Sequence, residues 1–592
     1  MPFGAEVLDD GVRFRLWAPG CTAVRLAIEG LPQVLPMHAI EGGWHELMTK
    51  QAHAGTRYRY IVNDDLSVPD PAARFQPEDV SGPSEVIDPA QHRWKTIDWQ
   101  GRPWREAVVY ELHVGTYTPE GTFLAIIGKL DHLMALGVTA IQIMPIADFP
   151  GSRNWGYDGV LLYAPESTYG RPEDLKTLVD AAHARGLMVL LDVVYNHFGP
   201  DGNYLPVYAS QFFTLRHKTP WGASVNYDGQ SSTAVREFVI HNALYWLEEF
   251  NLDGLRLDAV HQIIDDGPVH ILTELCERAR NCAPHRTVHL ILENEHNEAR
   301  RLERGAAGVT LHYSAQWNDD VHHVLHTAVT GERTGYYAEY TGDTEKLARA
   351  LAEGFAFQGE PMRHSGRTRG EPSAQLPPLA FVAFIQNHDQ IGNRALGERL
   401  SVLAPAEALR AIAAVYLLLP QTPMLFMGEE WATTQPFPFF CDFSGELADA
   451  VREGRRQGFA SFPEFQDPQS RSKIPDPQAV STFHSAKLDW SESVKSPHAE
   501  WLEWYQAILR VRRDVLVPRL DEITHGGRYH VLGASAVTIR WELSGAHLVL
   551  DANLSAVPIH ANAAVEGVLW QEGKADGASL LPWSVRWRLE KI

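Results

Sequence analysis

Four apolar runs in this 592-residue chain stop on groups that can do chemistry. LMVLL runs into Asp192, Asn196 and His197. GLRLD ends on Asp258, with Arg256 two residues earlier. HLIL runs into Glu293, and FVAFIQ runs into Asn387, His388 and Asp389. Asp258, Glu293 and Asp389 are the residue types that break a glycosidic bond with retention. In that reaction one carboxylate attacks the anomeric carbon and a second carboxyl protonates the leaving oxygen, about 5–5.5 Å away. Arg256 shares a strand face with Asp258, where a fixed positive charge keeps a nucleophile ionised. Glu293 must instead hold its proton near neutral pH, which burial beside other carboxylates favours. His197 and His388 are suited to donate hydrogen bonds to sugar hydroxyls.

Each residue also has a plainer use. A strand-end Asp can cap a loop, and Asn196 or Asn387 can hold a turn. Against this stands convergence, since three acids close three apolar strands within one alternating stretch of chain. Glu295 competes with Glu293 for the acid role, because strand alternation sets both on one side. The apolar run ending at Leu292 favours Glu293.

The elements that must position these groups alternate. AVVYELHV is followed by a helical stretch, Thr122 to Leu136, with Gly137 as its stop; then come the strand Ala140 to Ile146, a helix opened by Pro172 and the strand LMVLLDVV. The rhythm continues through helix Ala234 to Phe250, GLRLD, helix His270 to Arg280, VHLILE, a strand expected near Gly308 to Tyr313, FVAFIQ, helix Ala406 to Leu419 and MLFM. Continuous apolar strands between amphipathic helices give a parallel sheet covered on its outside, and eight such units fit a (β/α)8 TIM barrel. In such a barrel the site forms at the C-terminal strand ends, where the polar groups above fall.

The barrel is expected over 101–519, with a short insertion at 198–232 and a loop insertion of little periodicity at 436–500. A β-sandwich is expected over 1–100, where GVRFRLW alternates with Val12, Phe14 and Leu16 on one face, and a C-terminal all-β domain over 520–592. The fold class is therefore α/β with flanking β domains. A formal charge of −22 argues against nucleic acid or an anionic membrane as partner. The apolar tract from Ala411 to Gly428 is broken at Pro420 and Pro423, which divides it into a buried helix and a buried strand and leaves no membrane span. Cys21, Cys276, Cys282 and Cys441 form no metal-ligand pattern and read as reduced thiols, and MPFGAEVLDD lacks the form of a secretory signal, so the cytoplasm is expected.

The runs DVVYNH (Asp192 to His197), GLRLD, Glu293 and NHD (Asn387 to Asp389) resemble the four short regions of the α-amylase family, glycoside hydrolase family 13. The resemblance implies nucleophile for Asp258, acid/base for Glu293, and binding and distortion of the neighbouring sugar for Asp389. Tyr157 in NWGYD resembles the tyrosine that stacks on that sugar. Asp192, Asn196, His197, Arg256, Asn387 and His388 take substrate-binding positions by the same likeness. Many members bind calcium partly through the position of Asn196, but the acid-poor loop from Phe198 to Ser232 offers no clear oxygen cage, so no metal and no cofactor are expected.

A finer likeness covers nearly the whole chain: FRLWAP, YELHVGTYTPEGTF, TPWGASVNYDG, AQWNDDVHHVLHTAVTGERTGYY, LFMGEEW, GELADAVREGRRQGF and IPDPQAVSTFHSAKLDW resemble the trehalose-releasing members of that family. These hydrolyse the α-1,4 bond next to the terminal trehalose unit of maltooligosyltrehalose, so the implied substrate is that α-1,4-glucan and the implied functional partner is maltooligosyltrehalose synthase. Telling trehalose from maltose needs aromatic faces and hydroxyl-binding groups on the leaving-group side, and Trp221, Trp317, Asn318, Asp319, His261 and Gln262 are expected to supply them. The competing readings are a glucan branching or debranching enzyme, against which the TPWG and QWNDD text stands, and a non-catalytic glucan-binding barrel, against which the three intact acids stand.

Overall fold

The computed structural model describes residues 2–592 apart from Asp64, His364, Ser461, 562–565 and 577–578. At its centre eight parallel strands close into a barrel: β1 (Val109–Leu112), β2 (Ala140–Ile143), β3 (Met188–Val193), β4 (Gly254–Leu257), β5 (His289–Leu292), β6 (Ala315–Trp317), β7 (Phe381–Ala383) and β8 (Thr422–Phe426). Their interior is filled by Val109, Ala140, Met188, Leu190, Ile291, Ala315, Trp317, Val382 and Met424, all buried. The expected fold class is therefore the observed one. Gly254 lets β4 and β5 approach closely, because a Cβ there would lie 2.1 Å from the His289 carbonyl oxygen on β5.

Before the barrel, two antiparallel sheets pack their alternating faces together, and Val12, Phe14 and Leu16 all point inward. After it, a five-stranded antiparallel sheet runs from Arg528 to Lys591. The apolar tract divides as its prolines dictate, into helix Ala406–Leu418 and β8. No helix among the described residues is long and apolar enough to cross a membrane.

Three elements depart from the sequence reading. The helix expected from Thr122 to Leu136 is two, Phe123–Ile127 and Leu130–Leu136, because Gly128 ends the first with its N–H on the Ala125 carbonyl. The sixth strand is Ala315–Trp317, not Gly308 to Tyr313. Val309 and Leu311 look like strand residues but lie on the surface, and the real strand is too short to show a period. Within 436–500 a helix spans Gly445–Gly458. Its apolar stripe is short, Ala448 buried with Leu447 and Val451 packed beside it on an otherwise polar helix, which is little to announce it.

Candidate active site

Asp192 and Arg256 are register partners on β3 and β4. The Arg256 guanidinium is fully buried, lies 4.0 Å from the centre of the Trp317 ring, and reaches three carboxylates. Its Nη1 is 2.6 Å from Asp192 Oδ2 and 2.9 Å from Asp258 Oδ1; its Nη2 is 2.8 Å from Glu293 Oε2. One positive charge among three acids cannot hold all of them ionised out of water. Burial pushes Asp192 up to about 7 against the pull of Arg256, and burial likewise raises Glu293, with Asp258 adding to the shift and Arg256 opposing it.

The chain turns sharply after Asp258. Ala259 takes the left-handed conformation (φ 39°, ψ 49°), which costs a residue with a Cβ on the order of 1 kcal/mol, and its N–H donates to Glu293 Oε2, 2.8 Å away. Asn196 donates its Nδ2 to both the side-chain Oδ2 (2.7 Å) and the carbonyl (2.9 Å) of Asp258. The residue whose position resembles a calcium ligand thus serves the β4 carboxylate directly. His197 has both ring nitrogens engaged, on Asn196 Oδ1 and on the Tyr157 carbonyl (2.9 Å), and its ring stacks 4.2 Å from Trp221 at 6°. Trp221, at the tip of the hairpin Phe213–Thr219 and Gly222–Val225, is half exposed.

Tyr157, whose carbonyl meets His197, places its hydroxyl 2.7 Å from Asp192 Oδ2 and 2.8 Å from His388 Nε2. His388 Nε2 also lies 3.7 Å from Asp389 Oδ1, which faces the cleft with its side chain 37% exposed and accepts from Asn393 Nδ2 at 3.1 Å. Burial raises the Asp389 carboxyl, while His388 lowers it. Asn387 caps the helix His388–Gly392, accepting the Gln390 N–H at 2.9 Å, which is the turn-holding use.

Glu293 and Glu295 separate cleanly. β5 ends at Leu292, so alternation does not extend to residue 295; the Glu295 side chain is 66% exposed and Glu293 only 18%. Glu295 instead faces His261, its N–H on Nδ1 at 3.3 Å and its carboxylate 3.5 Å from Nε2. Gln262 lies half-buried in the same short turn, Val260–Gln262.

Two expected site residues point elsewhere. Trp317 is a barrel-interior residue beneath Arg256, because β6 reaches as far as this position. Asn318 is fully buried and donates to the Gly354 carbonyl (2.8 Å) and Gln421 Oε1 (3.0 Å), tying β6 to the scaffold. Asp319, one residue on, does reach the mouth; burial and the Glu293 charge push it up to about 8, and Gln390 Nε2 donates to it at 3.3 Å.

Sequence reasoning missed Glu111, Gln390 and Tyr336. Glu111 is a charged residue inside the apolar run AVVYELHV, a legible signal, and its carboxylate binds His388 through Nδ1 (2.7 Å) and the main-chain N–H (3.1 Å). Tyr336 stands half exposed with its hydroxyl 3.4 Å from Gln390 Oε1, and nothing in its surrounding text marks it. Among the described residues one group of three brings metal-ligand atoms together: His217 and Asp228 from the 198–232 insertion, with Asp266. Asp228 is already engaged there by His217 (2.8 Å), Arg216 (3.2 Å) and the Asp266 N–H (3.0 Å).

Comparison with known proteins agrees with this architecture. Residues 2–73 match Carbohydrate-binding module 48 (Isoamylase N-terminal domain), residues 98–212 match the Alpha amylase catalytic domain, and residues 524–587 match a Domain of unknown function, DUF3459. The Malto-oligosyltrehalose trehalohydrolase of Deinococcus radiodurans is 45% identical over 534 residues, 89% of this chain and 86% of that one. Its namesake from Saccharolobus solfataricus is 41% identical over 87% of each chain. A crystal structure of a Salmonella typhimurium protein superposes with a TM-score of 0.95 at 44% identity, covering 100% of this chain and 99% of that one. A barrel rim with acids at the ends of β4, β5 and β7, and relatives this similar over nearly their full length, lead to one assignment: the chain is a glycoside hydrolase belonging to the malto-oligosyltrehalose trehalohydrolase family.

Proposed function

We propose that this enzyme hydrolyses the α-1,4-glucosidic bond next to the terminal trehalose unit of maltooligosyltrehalose, with retention, and releases trehalose. The observation that carries the chemistry is the single guanidinium of Arg256 shared by Asp258 and Glu293 on adjacent strands. It holds the two acids a short span apart, as a nucleophile and an acid acting on one bond require. Asp258, paired with Arg256 and Asn196, attacks the anomeric carbon. Glu293, raised by burial, gives its proton to the leaving trehalose oxygen, then takes one from the water that resolves the glycosyl-enzyme. Asp389 and Tyr157 hold the sugar on the glucan side. His261, Gln262, Asp319, Trp221 and Tyr336 line the approaches, and the trehalose unit is read among them.

The name shared by the relatives supports the choice of leaving group. On this reading the chain divides at 1–100, 101–519 and 520–592, and it works in the cytoplasm, where its four free thiols suit a reducing compartment, beside a synthase that forms the terminal trehalose linkage. Incubation with maltooligosyltrehalose and, separately, with maltooligosaccharide and amylose tests the proposal. Trehalose from the first alone is the expected product by chromatography. Branched or rearranged glucan, or an equal rate of maltose release from plain maltooligosaccharide, overturns it.

A further inference from the structure

We infer that Glu111 is a positioning residue for this centre: its buried carboxylate holds His388 as an imidazolium, and the charged ring sets the direction of the Tyr157 hydroxyl and faces Asp389 with positive charge. The inference rests on the assignment of Asp258, Glu293 and Asp389 as the working carboxylates.

Glu111 lies inside β1 with no exposed surface, and among the described residues its one ion-pair partner is His388. A carboxylate buried without a counter-charge is expensive, and the imidazole of His388, in contact with Glu111, is the group placed to supply that charge. The grip is double. Oε1 takes the Nδ1–H at 2.7 Å and Oε2 takes the main-chain N–H at 3.1 Å, so ring and backbone are fixed together.

With Asp192 ionised beside Arg256, proton counting on Tyr157 points the same way. Its hydroxyl has one proton and two short partners, Asp192 Oδ2 at 2.7 Å and His388 Nε2 at 2.8 Å. If His388 were neutral, with its proton on Nδ1 toward Glu111, Nε2 could only accept. Tyr157 would then donate to the ring and oppose a lone pair to the Asp192 carboxylate. With His388 charged, Nε2 donates to Tyr157 and Tyr157 donates to Asp192, whose same oxygen accepts from Arg256 at 2.6 Å. Every hydrogen then has one place in a chain running from β1 through β7, the loop after β2 and β3 to β4.

The groups around the ring come from many elements. Glu111 on β1 and Asp389 beside it are acidic; Asp192 on β3 adds a third carboxyl; Arg256 on β4 opposes protonation; His113 follows β1; Trp155, Tyr157 and Trp317 supply ring contacts. Burial alone pushes the imidazole down, but Glu111 and then Asp389 lift it to about 9.

The test is Glu111→Gln in the full chain, which keeps the size and one acceptor and removes the charge. Histidine-selective carbon labelling, with the His388 signal assigned by its loss in His388→Gln, reads the ring in the absence of substrate. In the wild type the ring should stay protonated at pH 8. In Glu111→Gln its midpoint should fall by at least a unit, and kcat should fall with KM little changed, about tenfold for each pH unit above the new midpoint. A folded Glu111→Gln protein with an unmoved midpoint, or with wild-type kcat at every pH, overturns the inference. If the variant does not fold, the wild-type titration decides, and a neutral His388 ring at pH 7 overturns it. Because the titration needs no turnover, a protein that protonates His388 as expected yet releases no trehalose refutes the functional reading and leaves this one standing.

Discussion

The ends of β4 and β6 lie on one rim of one barrel, and both carry residues of the types that handle sugars. At β4, Arg256, Asp258 and the turn at Ala259 converge on Glu293, and charged or main-chain donors hold the carboxylates. At β6, Trp317 is buried in the barrel interior and the side-chain amide of Asn318 is spent on the Gly354 carbonyl and Gln421. What separates them is how their polar atoms are satisfied. At β6 the Asn318 amide nitrogen meets two neutral acceptors that tie it to the scaffold. The β4 group leaves three acids sharing one guanidinium, an arrangement that stability alone does not favour, since buried ion clusters rarely outweigh their desolvation. A strand end therefore marks a place for chemistry, and unbalanced charge marks where chemistry is done.

The largest effect that separates the two ends is expected at the nucleophile. Asp258→Asn keeps the shape and the hydrogen bond from Asn196 while removing the attacking charge, so kcat should fall by about 10⁴-fold or more with the melting temperature little changed. A tenfold loss, or less, would move the nucleophile elsewhere on the rim and undo the contrast.

The next effect lies on the other end and in the other observable. Asn318→Ala leaves the Gly354 carbonyl and Gln421 Oε1 short of a buried donor, a cost of about 1–3 kcal/mol. Denaturant unfolding should show that loss, while kcat/KM for the intact enzyme stays within about twofold, well under the tenfold that 1.4 kcal/mol of transition-state binding carries. A large kcat/KM loss at unchanged stability would make Asn318 a substrate residue, as its position in the text suggests.

That text made the barrel and the acids at β4, β5 and β7 legible, because apolar runs ending in charge are a one-dimensional record of strand ends. It also offered Glu111, a charge inside an apolar strand. It could not separate Trp317 and Asn318 from Asp319, because three consecutive polar or aromatic letters look alike until the strand fixes which one turns inward. β6 itself is three residues long, below the length at which alternation registers, while the exposed Val309 and Leu311 imitated a strand nearby. Tyr336 was out of reach for a different reason: it stands in the short turn Gly335–Glu339, and only tertiary contact brings it to Gln390. Glu295 came into competition with Glu293 only by extending alternation past the end of β5, and the apolar run ending at Leu292 already favoured Glu293.

The smallest effect belongs to Trp221, the tryptophan that, unlike Trp317, stays half exposed while stacked face to face on His197 at 4.2 Å. Trp221→Ala removes an aromatic surface at the hairpin tip and leaves both hydrogen bonds of His197 in place. Stacking of this kind is worth about 0.5–1.5 kcal/mol beyond buried area, so KM for maltooligosyltrehalose should rise by roughly two- to tenfold with kcat and the unfolding midpoint nearly constant. A fall in the unfolding midpoint with KM unchanged would instead give Trp221 the scaffold role of Trp317. The distinction between the two tryptophans would then rest on exposure alone, which is too little, since single exposed aromatic residues are common on protein surfaces.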